Sequence, residues 1–197
     1  QADETKPSSG LIGNVVFDIQ ANVNINGVTI RHGSPGINIG SAGKLDIADC
    51  NVLDCYTETS GAGIYSAGDI RMENCCVAFN TCHNSGAGIY ASYTIENPAR
   101  VAINNSTISH NQCIGNNSMG GGLFLSFASL DMKNSTVSYN SALSKGKGIH
   151  LNSRNAQVNI FYNNIIAGNG TPDVGAVYAS IFQMGPNIDY NIISMAW

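Results

Sequence analysis

A parallel β-helix, an all-β solenoid, is the fold this sequence predicts, and three observations predict it. A glycine-rich opener followed by an aliphatic and then usually an aromatic residue recurs as GAGIY at Gly61, GAGIY at Gly86, GGGLF at Gly120 and GKGIH at Gly146, with a degenerate SPGIN at Ser34. A second motif, an apolar-polar strand closed by a turn residue, recurs between the openers. It reads DCNVLDC at Asp49, NCCVAFN at Asn74, NSTISHN at Asn105, NSTVSYN at Asn134 and NNIIAGN at Asn163, with an earlier GVTIRHG at Gly27. By subtraction of those start positions the openers lie 27, 25, 34 and 26 residues apart and the second motifs 22, 25, 31, 29 and 29 apart. The third observation is the content of each period. Alternation such as LDMKNSTVS from Leu130 is strand-like, and no window keeps apolar residues at helical spacing. Self-similarity at this period marks a solenoid, a propeller or an array. Two or three short strands per period are too few for a four-stranded propeller blade and suit one coil of a β-helix. Leucine-rich and helical repeats lack the leucines and alanines they need, and 197 residues hold about six to seven coils.

Taken in order, residues 1–10 are polar and aperiodic and read as an N-terminal arm, and residues 11–197 read as a single β-helix domain. Gly10 and Gly13 mark turns. VVFDI from Val15 and VNINGVTIR from Val23 supply the first coil, which closes at His32 and Gly33. Residues 34–55 form the second coil and residues 61–82 the third and most compact. The fourth, residues 86–113, is longer because ASYTIENPAR from Ala91 carries Pro98, which a central strand rejects, so that stretch should bulge or project. Residues 112–119 are a second polar excursion. Residues 120–142 and 146–169 complete the regular coils, and VNIFYNN from Val158 has one residue too many, which predicts a bulge. Two more strands follow Thr171. With no helical cap at either end, the terminal strands should expose pairing edges.

Registering the repeats assigns each position a side. Ile30, Val52, Val77, Ile108, Val137 and Ile166 are aliphatic and point inward. Period two then sends Ser135 and Tyr139 inward and Thr136 and Ser138 outward. Four coils end this strand in Asn80, Asn111, Asn140 and Asn169, with Gly33 and Cys55 at that place in the first two. Asparagine tolerates left-handed turn geometry and can bond to the same amide one coil away, so this is a structural asparagine ladder. The column Tyr65, Tyr90, Phe124 and His150 follows the inward aliphatic of each opener and so points outward. It is a candidate surface-binding stripe, for sugar rings or a neighbouring subunit, unless its rings stack on one another.

The six cysteines fit no zinc spacing. Cys50 with Cys75, and Cys82 with Cys113, occupy equivalent places in successive coils, about 4.8 Å apart, within the Cα window of a disulfide. Bridges are expected at one or both pairs, which would imply an oxidising, extracytoplasmic home. The alternative is a ladder of thiols acting as small hydrophobes.

Composition narrows the function classes. Charged residues are 11% of the chain and apolar ones 43%, enough for a continuous core, and a net charge of −4 with nine scattered Lys and Arg offers nucleic acid no basic patch. No apolar run approaches the ~20 residues of a membrane span. No signal peptide is visible; a leader removed ahead of Gln1 is consistent with the sequence. No phosphate-binding fingerprint fits the glycine openers, since no helix follows them. For catalysis the outward column Asp46, Arg71, Ala102 and Asp131 provides one cross-coil ion pair. His32 and His110 are equivalent but coils apart, and Cys82 and His83 face opposite ways. No catalytic triad, metal site or cofactor site is nominated, and the chain reads as no enzyme. Thr107 with Ser109 and Thr136 with Ser138 form a short ice-binding-like array. Asn104, Asn105, Asn116, Asn134 and Asn169 begin N-x-S/T triplets that could be glycosylated in a eukaryotic secreted protein.

GAGIY and GGGLF followed by NSTISHN and NSTVSYN resemble the GGGIYN and NSTISGN repeats of bacterial secreted right-handed β-helix proteins, relatives of the pectate-lyase-like solenoids. They are also similar to the GGAI and FxxN repeats of chlamydial polymorphic outer-membrane proteins, VAFN at Val77 fitting once. NNIIAGNGTPDV from Asn163 and PNIDYNII from Pro186 resemble the closing repeat of the first group. The resemblance covers residues 27–194 and implies surface display, adhesion or envelope structure, without a catalytic motif to carry over. The expectation is therefore a secreted, extracellular or cell-surface structural and adhesive solenoid. It would associate with itself through coil ends or the aromatic stripe, or with host or surface glycans. The other reading is a polysaccharide-binding or lyase-like module with residues 91–100 and 112–119 as groove walls.

Overall fold

In parallel strands equivalent residues sit about 4.8 Å apart, so a repeat that stacks must place like above like. The computed structural model, which describes residues 14–93, 99–152, 159–169, 177–179, 184–189 and 192–193, does this throughout. Among the described residues three sheets each hold seven strands in parallel, one per coil. The opener motifs build one, through Ile37–Ile39, Ile64–Ser66, Ile89–Ser92, Leu123–Ser126 and Ile149–Asn152. The longest strands build the second, including Lys44–Ala48, Asp69–Glu73, Ala99–Asn104 and Ala128–Lys133, and the asparagine-closed motifs build the third, including Cys76–Ala78, Thr107–Ser109 and Thr136–Ser138. Three two-residue strands, Tyr56–Thr57, Thr81–Cys82 and Gln112–Cys113, make a small fourth sheet. Registers follow the motif alignment: Val77 pairs with Val52 and Ile108, and Arg71 pairs with Asp46 and Ala102.

The core is the stack of inward aliphatics, Leu45, Ile70, Val101 and Leu130 in one column and Val52, Val77, Ile108 and Val137 in another, all buried. Beside them runs the asparagine ladder. Each Oδ1 of Asn111, Asn140 and Asn169 accepts the backbone N–H and one Nδ2 hydrogen of the asparagine one coil earlier, at 2.9–3.1 Å. The other Nδ2 hydrogens of Asn80, Asn111, Asn140 and Asn169 go to the carbonyls of Val52, Val77, Ile108 and Val137. These amides are almost wholly shielded from water, and those of Asn80, Asn111 and Asn140 have both hydrogens and the oxygen bonded, the condition for burying them.

The left-handed geometry expected of these asparagines belongs to their predecessors. Phe79, His110 and Tyr139 have φ of 58°, 55° and 54°, and Gly168 has 67°. That turn breaks alternation, so Tyr139, expected inside, is 64% exposed, while Ser135 and Val137 are inward as expected. A second left-handed column at Asp49, Asn74, Asn105, Asn134 and Asn163 opens the same strand.

Two glycines of each opener are required. Gly61, Gly86, Gly120 and Gly146 have φ of 57–71°, folding the chain back so that a Cβ there would lie 2.2–2.8 Å from the carbonyl of the opener's own aliphatic residue. At Gly63, Gly88 and Gly122 a Cβ would lie 2.5–2.6 Å from the carbonyl of the next coil and about 3.0 Å from an asparagine amide of the ladder. The opener and the asparagine motif therefore recur together because one must be small for the other to fit.

Residues 112–119, read as a polar excursion between coils, are partly built into the coil. Gln112 and Cys113 pair in the fourth sheet, and Ser118 is buried with its hydroxyl on the Cys113 carbonyl. The expected bulge in the strand from Val158 coincides with a register shift between Asn159 and Phe161 against Met184–Asp189. The N-terminal arm, Gly10, Gly13, Pro98 and the capping of the two ends lie outside the described residues.

Asn111→Ala should strand the Asn80 donors, the Val77 carbonyl and the Asn140 acceptor at once, lowering unfolding stability in denaturant by about 3 kcal/mol or more. Asn116→Ala, on the exposed turn, should stay within about 0.5 kcal/mol.

Candidate functional site

Alternation along the long strands buries Leu45 and Ile47, Ile70 and Met72, Val101 and Ile103, and Leu130 and Met132. The intervening residues form an outward grid. Its first column runs through Lys44, Asp69, Arg100 and Ser129, its second through Asp46, Arg71, Ala102 and Asp131, and its third through Ala48, Glu73, Asn104 and Lys133. Of these, Lys44, Asp69, Arg71, Glu73, Arg100, Ala102, Asn104, Asp131 and Lys133 line a groove of about 450 Å³. Its ionic pattern is richer than the single cross-coil pair expected. Lys44 Nζ lies 3.6 Å from Asp46, while Arg100 at 3.4 Å and Lys133 at 3.0 Å share Asp131. Asp69 accepts the Arg100 backbone N–H, and Glu73 accepts from the Asn104 and Asn105 amides. Arg71, expected to pair across coils, has no carboxylate within ion-pair distance among the described residues. Beside it the methyl of Ala102 leaves the centre of the groove open. Tyr93 packs beside this face, its phenol pushed up from the ordinary range by burial and by the nearby Asp69 charge. Residues 112–119, expected as a wall, take no part in the lining.

The stripe Tyr65, Tyr90, Phe124 and His150 does stack, with ring centroids 5.1–5.2 Å apart. It is not an open surface along its length: Phe124 and His150 are buried, and only the two tyrosines are half-exposed. Burial, and secondly the Lys145 charge, lower the His150 pKa to about 4.

The expected bridges Cys50–Cys75 and Cys82–Cys113 are absent; all six cysteines are free thiols. In-register parallel neighbours hold their Cβ atoms near the ~4.8 Å strand repeat, beyond the ~3.5–4.5 Å a disulfide prefers. Cys50 and Cys75 stand where later coils have Ser106, Ser135 and Asn164. Their thiols reach the carbonyls of Ala48 and Glu73 as the serine hydroxyls reach those of Asn104 and Lys133. Cys82 and Cys113 pair in register with sulfurs 3.1 Å apart. Burial pushes the Cys75 thiol up to about 11.

Asn169 is buried with its amide in the ladder, so its triplet is closed to glycosylation, whereas Asn105, Asn116 and Asn134 are exposed and Asn104 half-buried. Ser109 is buried, which interrupts the ice-binding-like array of Thr107, Thr136 and Ser138. Among the described residues no three of His, Cys, Asp and Glu meet as a metal-binding group. No helix there is long and apolar enough to cross a membrane, which says nothing of strand-built crossings.

One surface feature is not foreseen by alternation. Phe79, His110 and Tyr139 stack at 4.9 and 5.1 Å on the outside of the left-handed corner. Each bulky residue at positive φ costs roughly 1–2 kcal/mol, and each stacked pair returns about 0.5–1.5 kcal/mol, so the ridge gives folding little net gain. The signal available was the position before each asparagine, or before Gly33 and Cys55 in the first two coils, which reads His32, Asp54, Phe79, His110, Tyr139 and Gly168.

Residues 12–165 match the protein family described as Right handed beta helix region. No curated protein and no solved structure matches the chain.

His150 supplies a pH prediction. Its folded pKa lies below the ordinary 6.5, so its contribution is present above pH 6.5 and lost as pH falls toward 4. His150→Phe, which continues the Phe124 ring, should flatten stability between those pH values in denaturant titrations, while the wild type loses up to about 3 kcal/mol.

Proposed function

We propose that this chain, which belongs to the right-handed β-helix family, is an extracellular adhesive solenoid that holds polysaccharide along the outward face of its long-strand sheet. Arg71 carries this reading. Its unpaired guanidinium stands beside Ala102, between the Lys44–Asp46 pair and the Arg100–Asp131–Lys133 cluster. A planar fork of donors facing an open groove suits a carboxylate, sulfate or hydroxyl-rich sugar. The surrounding carboxylates accept from sugar hydroxyls, and the groove runs across coils, so a polymer can lie along it.

The face is read as binding rather than cleaving. Its four carboxylates each contact a cation, an amide or a backbone donor. Exposed Asn105, Asn116 and Asn134 in N-x-S/T triplets are consistent with an extracellular surface. With all six thiols free, placement outside the cell draws no support from disulfides.

A glycan array followed by affinity electrophoresis tests the proposal. Binding to one or more acidic polysaccharides is expected, weakening with salt and falling about tenfold or more in Arg71→Ala/Arg100→Ala while thermal stability holds. No binding by the wild type, or equal binding by the variant, would overturn it. Release of unsaturated uronate products would move the protein to the lyase-like class.

A further inference from the structure

The fourth sheet has a small core of its own. Its strands are two residues long, and the second residue of each turns inward, where Cys82 and Cys113 meet Ala62, Ala87 and Ala142 in an apolar compartment separate from the main core. Coil by coil the inward column reads Thr57, Cys82, Cys113 and Ala142, so two sulfurs stand together between a threonine and a methyl. Both thiols are shut off from water, at 0% and 1% exposure. Cys50 and Cys75 hold the carbonyls of their own strands at 2.9 and 3.1 Å, whereas Cys113 reaches carbonyls only at 3.9 and 4.0 Å, those of Met119 and Gly120. The close contact of the second pair is with itself, sulfur to sulfur at 3.1 Å.

Parallel strands in register keep the two Cβ atoms near the repeat of about 4.8 Å, which resists the closure to about 2.05 Å that a disulfide needs. Opening costs no such backbone shift, because side chains that run parallel hold their sulfurs at the strand repeat. A metal–thiolate bond is about 2.3 Å long, so a straight sulfur–metal–sulfur unit spans about 4.6 Å and matches the spacing of two coils. The surroundings select the ion. Zn²⁺ takes four ligands, and Mg²⁺ and Ca²⁺ take shells of oxygen, none of which two sulfurs and distant carbonyls supply. Soft sulfur ligands favour copper(I). One thiolate and one thiol around a monovalent ion are neutral together, the form an apolar compartment accepts.

We propose that Cys82 and Cys113 form a two-coordinate site for a soft monovalent cation of the copper(I) type. Two sulfur–metal bonds form, one S–H bond breaks and its proton leaves to solvent, and no electron changes hands. The bound ion clamps the third coil to the fourth at the corner where the strands are shortest. Cys50 and Cys75, at the same spacing, make no second site because each thiol is held on its own strand's carbonyl. The site shares no residue with the polysaccharide groove, so the two proposals stand or fall separately.

Anaerobic titration of the full reduced chain with copper(I), in competition with a chromogenic copper(I) chelator, tests the proposal. One ion per chain is expected, with sulfur-to-copper absorption in the near ultraviolet and a melting temperature that rises on loading. Cys82→Thr/Cys113→Ala takes the residues of the flanking coils, so it should melt like the metal-free wild type and lose affinity about a hundredfold or more. Cys50→Ser/Cys75→Ser/Cys76→Thr, built from residues that later coils carry at those places, should keep it. X-ray absorption at the copper edge, which needs no variant, should show two sulfur neighbours and no nitrogen. The proposal is overturned by a wild type that takes up no stoichiometric copper(I), or by uptake that persists in the Cys82/Cys113 variant. Loss of uptake in the triple variant, or a shell of three or more ligands, overturns it as well.

Discussion

Burying an asparagine amide in an apolar core is tolerable only where both hydrogens and the carbonyl oxygen find partners, and here the partners are the same residue in the adjacent coils. Every unit of the ladder supplies what its neighbour lacks: the Oδ1 of Asn111 takes two hydrogens from the preceding coil, and its Nδ2 gives one hydrogen to a carbonyl of that same coil and the other to the Oδ1 of the coil that follows. The bond pattern closes only if coils stack in register at the strand repeat. A slip by one residue would leave several buried polar groups unpaired, each costing about 1–3 kcal/mol. The ladder thereby sets the register of all three sheets, and the aliphatic columns fill the space that register leaves.

The remaining motif features follow from this constraint. The glycine at the third position of the opener, Gly63, Gly88 or Gly122, faces the amide across the coil, where a methyl would collide with it and with the next carbonyl. Ser106 and Ser135 close the other end of the strand by a similar device, accepting a backbone N–H from the preceding coil while bonding their own. Cys50 and Cys75 are variants of that serine position. Read this way the cysteines belong to the core's hydrogen-bonding scheme, which explains why spacing alone suggested bridges that the geometry does not make.

Because the interior is committed to stacking, differences between coils are free to accumulate outside. They gather on two surfaces. The long-strand sheet carries alternating charges around an open centre at Ala102, and the left-handed corner carries a neutral comb of rings.

The coil architecture, the order of the motifs, the inward aliphatic columns, the asparagine ladder and the pairing of Asp46, Arg71, Ala102 and Asp131 across coils were all legible in the sequence, because a period of like residues in parallel strands has few other ways to be satisfied. What the sequence withheld depends on side-chain direction and cover at the corners. Tyr139 turned outward because the chain reverses hand one residue before the asparagine, and no alternation rule anticipates a positive φ at phenylalanine, histidine or tyrosine. Phe124 and His150 are buried while Tyr65 and Tyr90 in the same column are half-exposed, and the charged grid needed columns from four coils before it became a groove. Repetition determined which residues lie above one another; only the tertiary structure decided which of them face water, since that rests on backbone turns and covering segments that the period does not encode.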